Sequence, residues 1–384
     1  MERKRVALLV ESSRGSGRKL LHGISQYMQM HQSWIVFHHE RALHEGLPDK
    51  LLAWEPDGVI ARIQSLQLAE QLLAMKVPVV DLLGWHRLPR VPRFGNDRRQ
   101  ISSMAYEHFR EHNLSRFAYC GYPGLQYSDD RKRHLAALLK KHGDTLFVFE
   151  EAASSTDVAQ RENQGFLDDA ELKRWLDSLP KPIGLLACND VRAQQVIATC
   201  VNAGIAVPED VSVLGVDNDE ILCELCTPAL SSIELANEAM GFAAAKLLTS
   251  MMNGRTVSAR KRLLEPLHVV QRHSTDTWAI DDPELIEAMK YIREKACTGI
   301  QVEHVCRHLS VSPSTLKRRF KEQLGRSPKS EITRIQINQA KALLLSTTLT
   351  VQEVAELTGF QYIESFSKRF RQKTGQSPGR FRHR

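Results

Sequence analysis

The last quarter of the chain contains the same short unit twice. Residues 319–328 read R-F-K-E-Q-L-G-R-S-P and residues 369–378 read R-F-R-Q-K-T-G-Q-S-P, so Arg, Phe, Gly, Ser and Pro recur at an offset of 50. Upstream, Val302-x-x-Val305 matches Val351-x-x-Val354. Two copies are too few for a solenoid, which needs about three or more repeats to bury a continuous core. They specify a duplicated small helical unit. No strand-like run follows residue 284. Breaks fall at Gly299, Ser310, Gly325, Ser346–Thr350, Gly359 and Gly375, so helix follows helix.

In the first unit Val302, Val305 and Leu309 share the inner face of a short helix. Ser310-Val311-Ser312 makes the turn. Ser312 is a good N-cap, and Pro313 suits the first helical position, where a missing N–H costs nothing. Leu316 and Phe320 then point inward, which leaves Ser314, Thr315, Lys317, Arg318 and Lys321 outward. In the second unit Val351, Val354 and Leu357 brace, and Thr358-Gly359-Phe360 turns, with Gly359 suited to a left-handed position at a helix end. Phe366 and Phe370 face inward; Ile363, Glu364, Ser367, Lys368 and Arg371 face outward. A short helix with outward donors, braced across a tight turn by another helix, is what the major groove of DNA admits. Charge agrees. Residues 281–384 hold 19 Lys+Arg and 11 Asp+Glu, whereas the other 280 residues hold 33 and 34. The positive excess sits wholly on the helical quarter, the electrostatic footprint of a nucleic-acid-binding module attached to a neutral body. A basic helical domain that docks a protein is the alternative, and it has no need of two copies in register.

The first 270 residues have another rhythm. Apolar runs at 5–10, 34–38, 58–61, 77–83, 116–121, 145–149, 183–188 and 211–216 alternate with stretches of helical spacing, such as Leu66-Leu68-Leu72-Leu73 and Phe166-Leu172-Trp175-Leu176-Leu179. Continuous apolar strands separated by helices describe an α/β body with parallel sheets covered on both faces. A length of 384 residues fits two or three domains. The polar segment from Gln271 to Asp276 and the helix start at Asp281-Asp282-Pro283-Glu284 place the boundary: body 1–271, linker 272–283, helical domain 284–384.

Several function classes find no support. The seven cysteines, Cys120, Cys188, Cys200, Cys223, Cys226, Cys297 and Cys306, have no framework spacing. The lone C-x-x-C of Cys223 and Cys226 lacks a second ligand pair for zinc and reads as reduced, half-buried thiols on a short helix. The sequence has no G-x-S-x-G, Walker-type or H-E-x-x-H motif, and Gly15-Ser16-Gly17 lacks the third glycine of a dinucleotide loop. His38, His39 and His44 have no partner carboxylate at a ligand spacing, and Asp168-Asp169 reads as a helix cap. The expectation is therefore no catalytic residues, no metal and no cofactor. The run after Met1-Glu2-Arg3-Lys4-Arg5 is too short for a signal peptide, and no run approaches the roughly 20 apolar residues of a membrane helix. A cytoplasmic protein without a membrane partner is expected.

The words S-P-S-T-L-K-R-R-F-K-E-Q-L-G-R-S-P, R-I-Q-I-N-Q-A-K-A-L-L-L-S-T and V-A-E-L-T-G-F…F-S-K-R-F-R-Q-K-T-G-Q-S-P make residues 284–384 resemble the two-unit DNA-binding domain of the AraC/XylS family of bacterial regulators. The resemblance implies seven helices and two recognition helices in successive major grooves. It puts base contacts on Ser314, Lys317, Arg318, Ile363, Glu364, Ser367 and Lys368, with Ile363 as an apolar departure. Residues 185–219, with N-D-x-x-A and G-I-A-V-P-E-D-V-S-V-L-G-V-D-N-D, resemble the effector domain of LacI-type repressors, which is built like a periplasmic sugar-binding protein. This implies two α/β subdomains with a sugar in the cleft between them. By position, Asn189 and Asp217 fall on ligand contacts, and Asp97 and Arg131 match in the same way. Glu11 follows the first strand, where ligands meet parallel sheets. The plain alternatives are a helix cap for Asn189, a closing turn for Asp217 and a solvated charge run for Arg131. The order of the two modules, with R-x-S-T-D at 272–276, D-P-x-x-I-x-A-M-x-Y-I-R at 282–293 and A-C-x-G-I at 296–300, resembles xylose-responsive activators. It implies D-xylose as effector, RNA polymerase as partner and a homodimer. Another monosaccharide or a protein partner fits the same residue types.

Overall fold

Each of the apolar runs of the body forms a strand. The computed structural model describes residues 3–31, 34–38, 47–84, 86, 88–149, 170–276, 282–347 and 349–382. Phe166, Asp168, Asp169, His39 and His44, singled out above, lie outside the described residues. The runs become β1 (Lys4–Leu9), β2 (Trp34–His38), β3 (Gly58–Ala61), β4 (Val79–Leu82), β6 (Phe117–Cys120), β7 (Leu146–Phe149), β8 (Ile183–Ala187) and β9 (Val211–Val216). Four strands were not expected: β5 (Arg93–Asn96), β10 (Ser231–Glu234), β11 (Lys261–Leu264) and β12 (His268–Val270). They are short, mix polar with apolar residues, and lie at or next to a sheet edge, where burial on both faces is not demanded.

The strands make two six-stranded sheets, in the orders β11-β5-β4-β3-β1-β2 and β12-β10-β9-β8-β6-β7. All pairings are parallel except β10 with β12. Alternation along β1 sorts its side chains between two cores. Val6, Leu8 and Val10 pack with Leu20, Ile24, Met240 and Leu248. Ala7 and Leu9 pack with Leu51, Leu68 and Leu72 on the other face. In the second lobe Leu172 and Leu176 of the helix Ala170–Ser178 join Val196 and Cys200 against β8 and β9. The chain crosses between lobes three times, at residues 96–98, 234–237 and 264–268. The crossings are laced by backbone bonds, Asp97 N–H to Leu264 C=O at 2.7 Å and Leu267 N–H to Glu234 C=O at 2.8 Å.

The expected linker narrows. Arg272 donates to the Leu230 carbonyl, and the Ser274 hydroxyl donates to the Val213 carbonyl at 2.6 Å. Residues 272–275 thus belong to the second lobe, which accounts for the R-x-S-T-D word. Asp282 already caps the first helix of the next unit, and the chain divides between residues 277 and 278.

The described elements of that unit are helices: Pro283–Lys295, Val302–Leu309, Pro313–Leu324, Pro328–Ser346, Val351–Leu357, Ile363–Thr374 and Pro378–Arg382. Each copy of the repeat has its own core. Leu316 and Phe320 pack with Met289 and Val305, and Phe366 and Phe370 pack with Val354 and Ala340. One bracing residue was misassigned. Leu357 is 55% exposed, and its neighbour Thr358 is buried instead. A seven-residue helix gives too little periodicity to fix the phase of its last turn.

In the body, the helices Gly15–His31 and Asn237–Met252 meet backbone to backbone. A Cβ on Gly241 would lie 2.0 Å from the Leu20 carbonyl oxygen, and one on Gly23 1.9 Å from that of Glu238. Neither atom can swing aside. Gly241→Ala is therefore expected to destabilise the body by ~1–3 kcal/mol, as overpacking does. An unchanged denaturant midpoint would show that the two helices are not so tightly held.

Candidate functional site

In both lobes parallel strands deliver their carboxyl ends, and the helix starts that follow them, to the edge facing the other lobe. The cleft between these edges holds about 80 Å³, room for a small molecule. The first lobe contributes Arg14 and Ser16 after β1, Arg62 and Gln64 after β3, and Asn96 and Lys261 on β5 and β11. Asn237, at the start of its helix, completes that side. The second lobe contributes Arg98, Tyr127, Arg131, Asn189 and Asp217.

Three of the five ligand residues expected from the sequence meet here. Arg131 is buried, donates to the Cys188 carbonyl and lies 3.9 Å from Asp217. Asn189 holds the start of the helix Asp190–Ala203 through the Arg192 N–H at 2.9 Å, and its amide nitrogen reaches the Tyr127 hydroxyl at 3.4 Å. It is a cap that also faces the cleft. Asp217 has φ 110°, a left-handed position that an L-residue adopts at some cost. Burial raises its pKa, opposed first by the charge of Arg131. Glu11 stands behind the wall, buried and paired with Arg62. Asp97 caps the helix Arg98–Glu111, its carboxylate accepting from the Arg99 and Gln100 N–H groups. Its neighbours Asn96 and Arg98 line the cleft instead.

The motif residue beside Asn189 has a different task. Asp190 is fully enclosed, accepting from the Ser232 hydroxyl at 2.5 Å and the Asp219 N–H at 2.8 Å. It ties together the loops that carry Asn189 and Asp217. Cys223 and Cys226 are buried rather than half-buried, and burial pushes both thiols up, Cys226 to about 11.

In the helical unit the caps fall as expected. Ser312 accepts from the Thr315 N–H at 3.1 Å with Pro313 in the first turn, and Gly359 has φ 79°. Ser314, Lys317, Arg318 and Lys321 are exposed along the helix Pro313–Leu324. Thr315 is half-buried, bonded to Ser312. Arg318 is held toward Glu322 at 2.9 Å. Along Ile363–Thr374, residues Ile363, Glu364, Lys368 and Arg371 are exposed and Ser367 is half-buried. The repeated arginine does not share this role. Arg319 turns back to Asp282 at 3.2 Å and Glu284 at 2.5 Å, tying its helix to the unit's first helix.

Comparison with known proteins agrees with this division. Residues 5–92 match the XylR N-terminal domain, 106–275 the periplasmic binding protein-like domain, and 305–384 a helix-turn-helix domain. The xylose operon regulatory protein of Escherichia coli K12 is 32% identical over 392 residues, covering 99% of this chain and 97% of that protein. That of Haemophilus influenzae is also 32% identical, covering 98% of each. The chain belongs to the xylose operon regulatory protein family. A solved structure of a xylose-binding transcription activator aligns over 100% of this chain and 98% of its own, with 29% identity and a TM-score of 0.62. Members of this family are DNA-binding transcription regulators rather than enzymes, and the two α/β lobes followed by a double helix-turn-helix unit are their architecture.

Asp190 also ties stability to pH. Burial, then the neighbouring charge of Asp217, raises its pKa from the ordinary 3.8 to about 8. A carboxyl with a raised pKa in the fold contributes stability that is fully present below about pH 4 and is lost as pH rises to about 8. Relative to Asp190→Asn, the wild-type chain is expected to lose stability steadily across that window. Parallel pH profiles in thermal unfolding would show that Asp190 is ionised in the fold.

Proposed function

We propose that this protein is a sugar-responsive activator that reads DNA through the helices Pro313–Leu324 and Ile363–Thr374 and is switched by a monosaccharide in the interlobe cleft. The observation that carries the reading is the convergence of Arg131, Asn189 and Asp217 from the second lobe on Arg62, Asn96 and Asn237 from the first. A ligand that touches both walls stabilises the closed body over the open one, and the three crossings are the places where the lobes can pivot. D-xylose heads the panel of effectors because the relatives are named for it. Acting on genes for its use, the protein works in the cytoplasm as a homodimer that engages RNA polymerase. Two modules bound side by side supply the affinity and site length that one helical unit of about 100 residues lacks.

On DNA, the two recognition helices read adjacent major grooves about one helical turn, ~34 Å, apart. Lys317→Ala or Arg318→Ala is expected to cost ~1–3 kcal/mol of operator affinity where the residue pairs with guanine. Sedimentation with operator DNA should give two chains per site. Footprints identical to wild type for both variants would overturn the placement of the first reading helix, and a single chain per site would overturn the dimer.

For the effector, Asp217→Ala removes the carboxylate that stands 3.9 Å from Arg131 on the second lobe's wall of the cleft. The sugar-induced change in operator binding should disappear in this variant. A variant that still responds fully would remove the cleft from the mechanism.

A further inference from the structure

The two lobes are joined by a helix cap that one lends to the other. Asp219 stands at the N-cap position of the helix Glu220–Leu225, yet its side chain makes no cap there. An aspartate in that place ordinarily accepts from the second or third N–H of its own helix. Here a carboxylate oxygen accepts instead from the Gly15 N–H at 2.8 Å. Gly15 is the first residue of the helix Gly15–His31 in the other lobe, which has no acidic residue in its own first turn. Its first N–H groups lack partners within the helix, and its dipole puts a partial positive charge there. Asp219 answers both, and Arg18 lies 3.5 Å from the same oxygen. The approach is close. A Cβ on Gly15 would lie 2.6 Å from that carboxylate oxygen.

One turn along the same helix, Lys19 reaches the same loop. Its ammonium donates to the Asn218 carbonyl at 2.8 Å and to both Glu234 oxygens at 2.7 Å. The loop itself is fixed to the second lobe. The Asp219 N–H donates to Asp190 at 2.8 Å, the Asn218 N–H to the Ser232 hydroxyl at 3.0 Å, and Arg272 to the Asn218 Oδ1 at 2.9 Å. Asp217 and Asn218 both have positive φ, 110° and 47°, a costly backbone that such bonds sustain. Ligand wall and cross-lobe bonds therefore share one short run of chain on each side. Asp217 lines the cleft, and Asp219 two residues later bonds to the other lobe. Arg14 and Ser16 line the cleft, and Gly15 between them donates that bond.

We propose that Gly15, Lys19 and Asp219 form a closure latch. They are positioning residues that set the balance between closed and open lobes, and with it the affinity for the effector, without touching the effector. The donors sit on the first lobe and the acceptors on the second, so turning one lobe away from the other breaks these bonds together. A ligand that binds the closed body has an apparent affinity scaled by the closed fraction. This second consequence rests on the reading of the cleft as the effector site; the latch itself does not.

The test is the separation of the lobes in the full chain. Spin labels at Lys50→Cys and Lys140→Cys, exposed on a helix of the first and of the second lobe, report it. Cys297 is changed to Ala in this background, since the other native cysteines are buried. Dilution with unlabelled chain confines the distances to one molecule. D-xylose affinity is measured beside it by isothermal titration. Asp219→Ala should lengthen the separation and weaken D-xylose about tenfold, the order that a hydrogen bond to a charged group carries. Gly15→Ala should do the same by pushing the carboxylate away, and Lys19→Met should lengthen the separation too. The variant with both alanines should be no worse than either single, because both changes remove one bond. A purely local role would lower the thermal midpoint and leave separation and affinity as in the wild type. That result in Asp219→Ala and Gly15→Ala would overturn the latch, as would losses that add in the double variant. No D-xylose binding by the wild-type chain would instead overturn the reading of the cleft as a xylose site, and the separations alone would then decide the latch.

Discussion

Parallel pairing is the constraint on which the body depends. A strand that must pair in parallel with its neighbour leaves the sheet at the same edge as that neighbour, and a helix carries the chain back. With β12 as the exception, both sheets obey this rule. The exits of the parallel strands therefore collect at one edge of each lobe, and those of β1, β3, β5, β6, β8, β9 and β10 are each followed by the start of a helix, whose first N–H groups lack partners within the helix. Side chains far apart in sequence, such as Arg62, Asn96, Asn189 and Asp217, reach one cleft because they share this topological position. The crossings between lobes start from the same edge, so the groups that face a ligand sit beside the segments that let the lobes pivot.

The legibility of the sequence follows from the same physics. Strands buried on both faces read as continuous apolar runs, so β1 and β9 were visible. β11, with the pattern K-R-L-L at a sheet edge, was not, because nothing forces its outward residues to be apolar. The helices Pro313–Leu324 and Ile363–Thr374 were visible because the inward Phe and the Gly-x-Ser-Pro that follows it recur at one offset; the cap does not recur, since Ser312 caps the first helix and Tyr362 makes no side-chain cap on the second. The site was half visible. Asn189 and Asp217 stand in a dense motif, whereas Arg62 reads as the polar residue that ends a strand and Asn237 as the polar residue that begins a helix. Lys261 lies on an edge strand that was itself not expected. Each is unremarkable locally, and only the fold brings them together. Asp97 shows the converse: the family resemblance suggested a ligand contact, and the adjacent helix start claimed its carboxylate as a cap.

Duplication in the helical unit preserved the frame and not the surface. Phe320 and Phe370 hold the same place in separate cores, and Gln336 on the long connecting helix bonds to the Ala296 carbonyl at 3.0 Å, joining the first half to that helix. The outward faces then diverge. The first presents Ser314, Lys317, Arg318 and Lys321, a surface of donors suited to purine acceptors and phosphates. The second opens with Ile363 and Glu364, an apolar side chain and an acceptor, next to exposed Tyr362 and Leu357. Such a face suits thymine methyl groups and cytosine amines.

A body that responds to a small molecule has to keep some of its interactions incomplete. The core of the first lobe is closely packed, down to the helix backbones that meet at Gly23 and Gly241. Between the lobes stand polar atoms that neither lobe satisfies, among them both amide atoms of fully buried Asn237. An unsatisfied buried group costs ~1–3 kcal/mol, an energy that the rest of the fold must offset and that a ligand can recover. What the ligand transmits is bounded by the difference in its affinity for closed and open lobes, typically ~1–3 kcal/mol of coupling. A few completed bonds are enough to reach that range. The cleft therefore needs neither a large cavity nor a large apolar surface, only a set of convergent groups whose bonding is finished by one molecule and by no side chain of the protein.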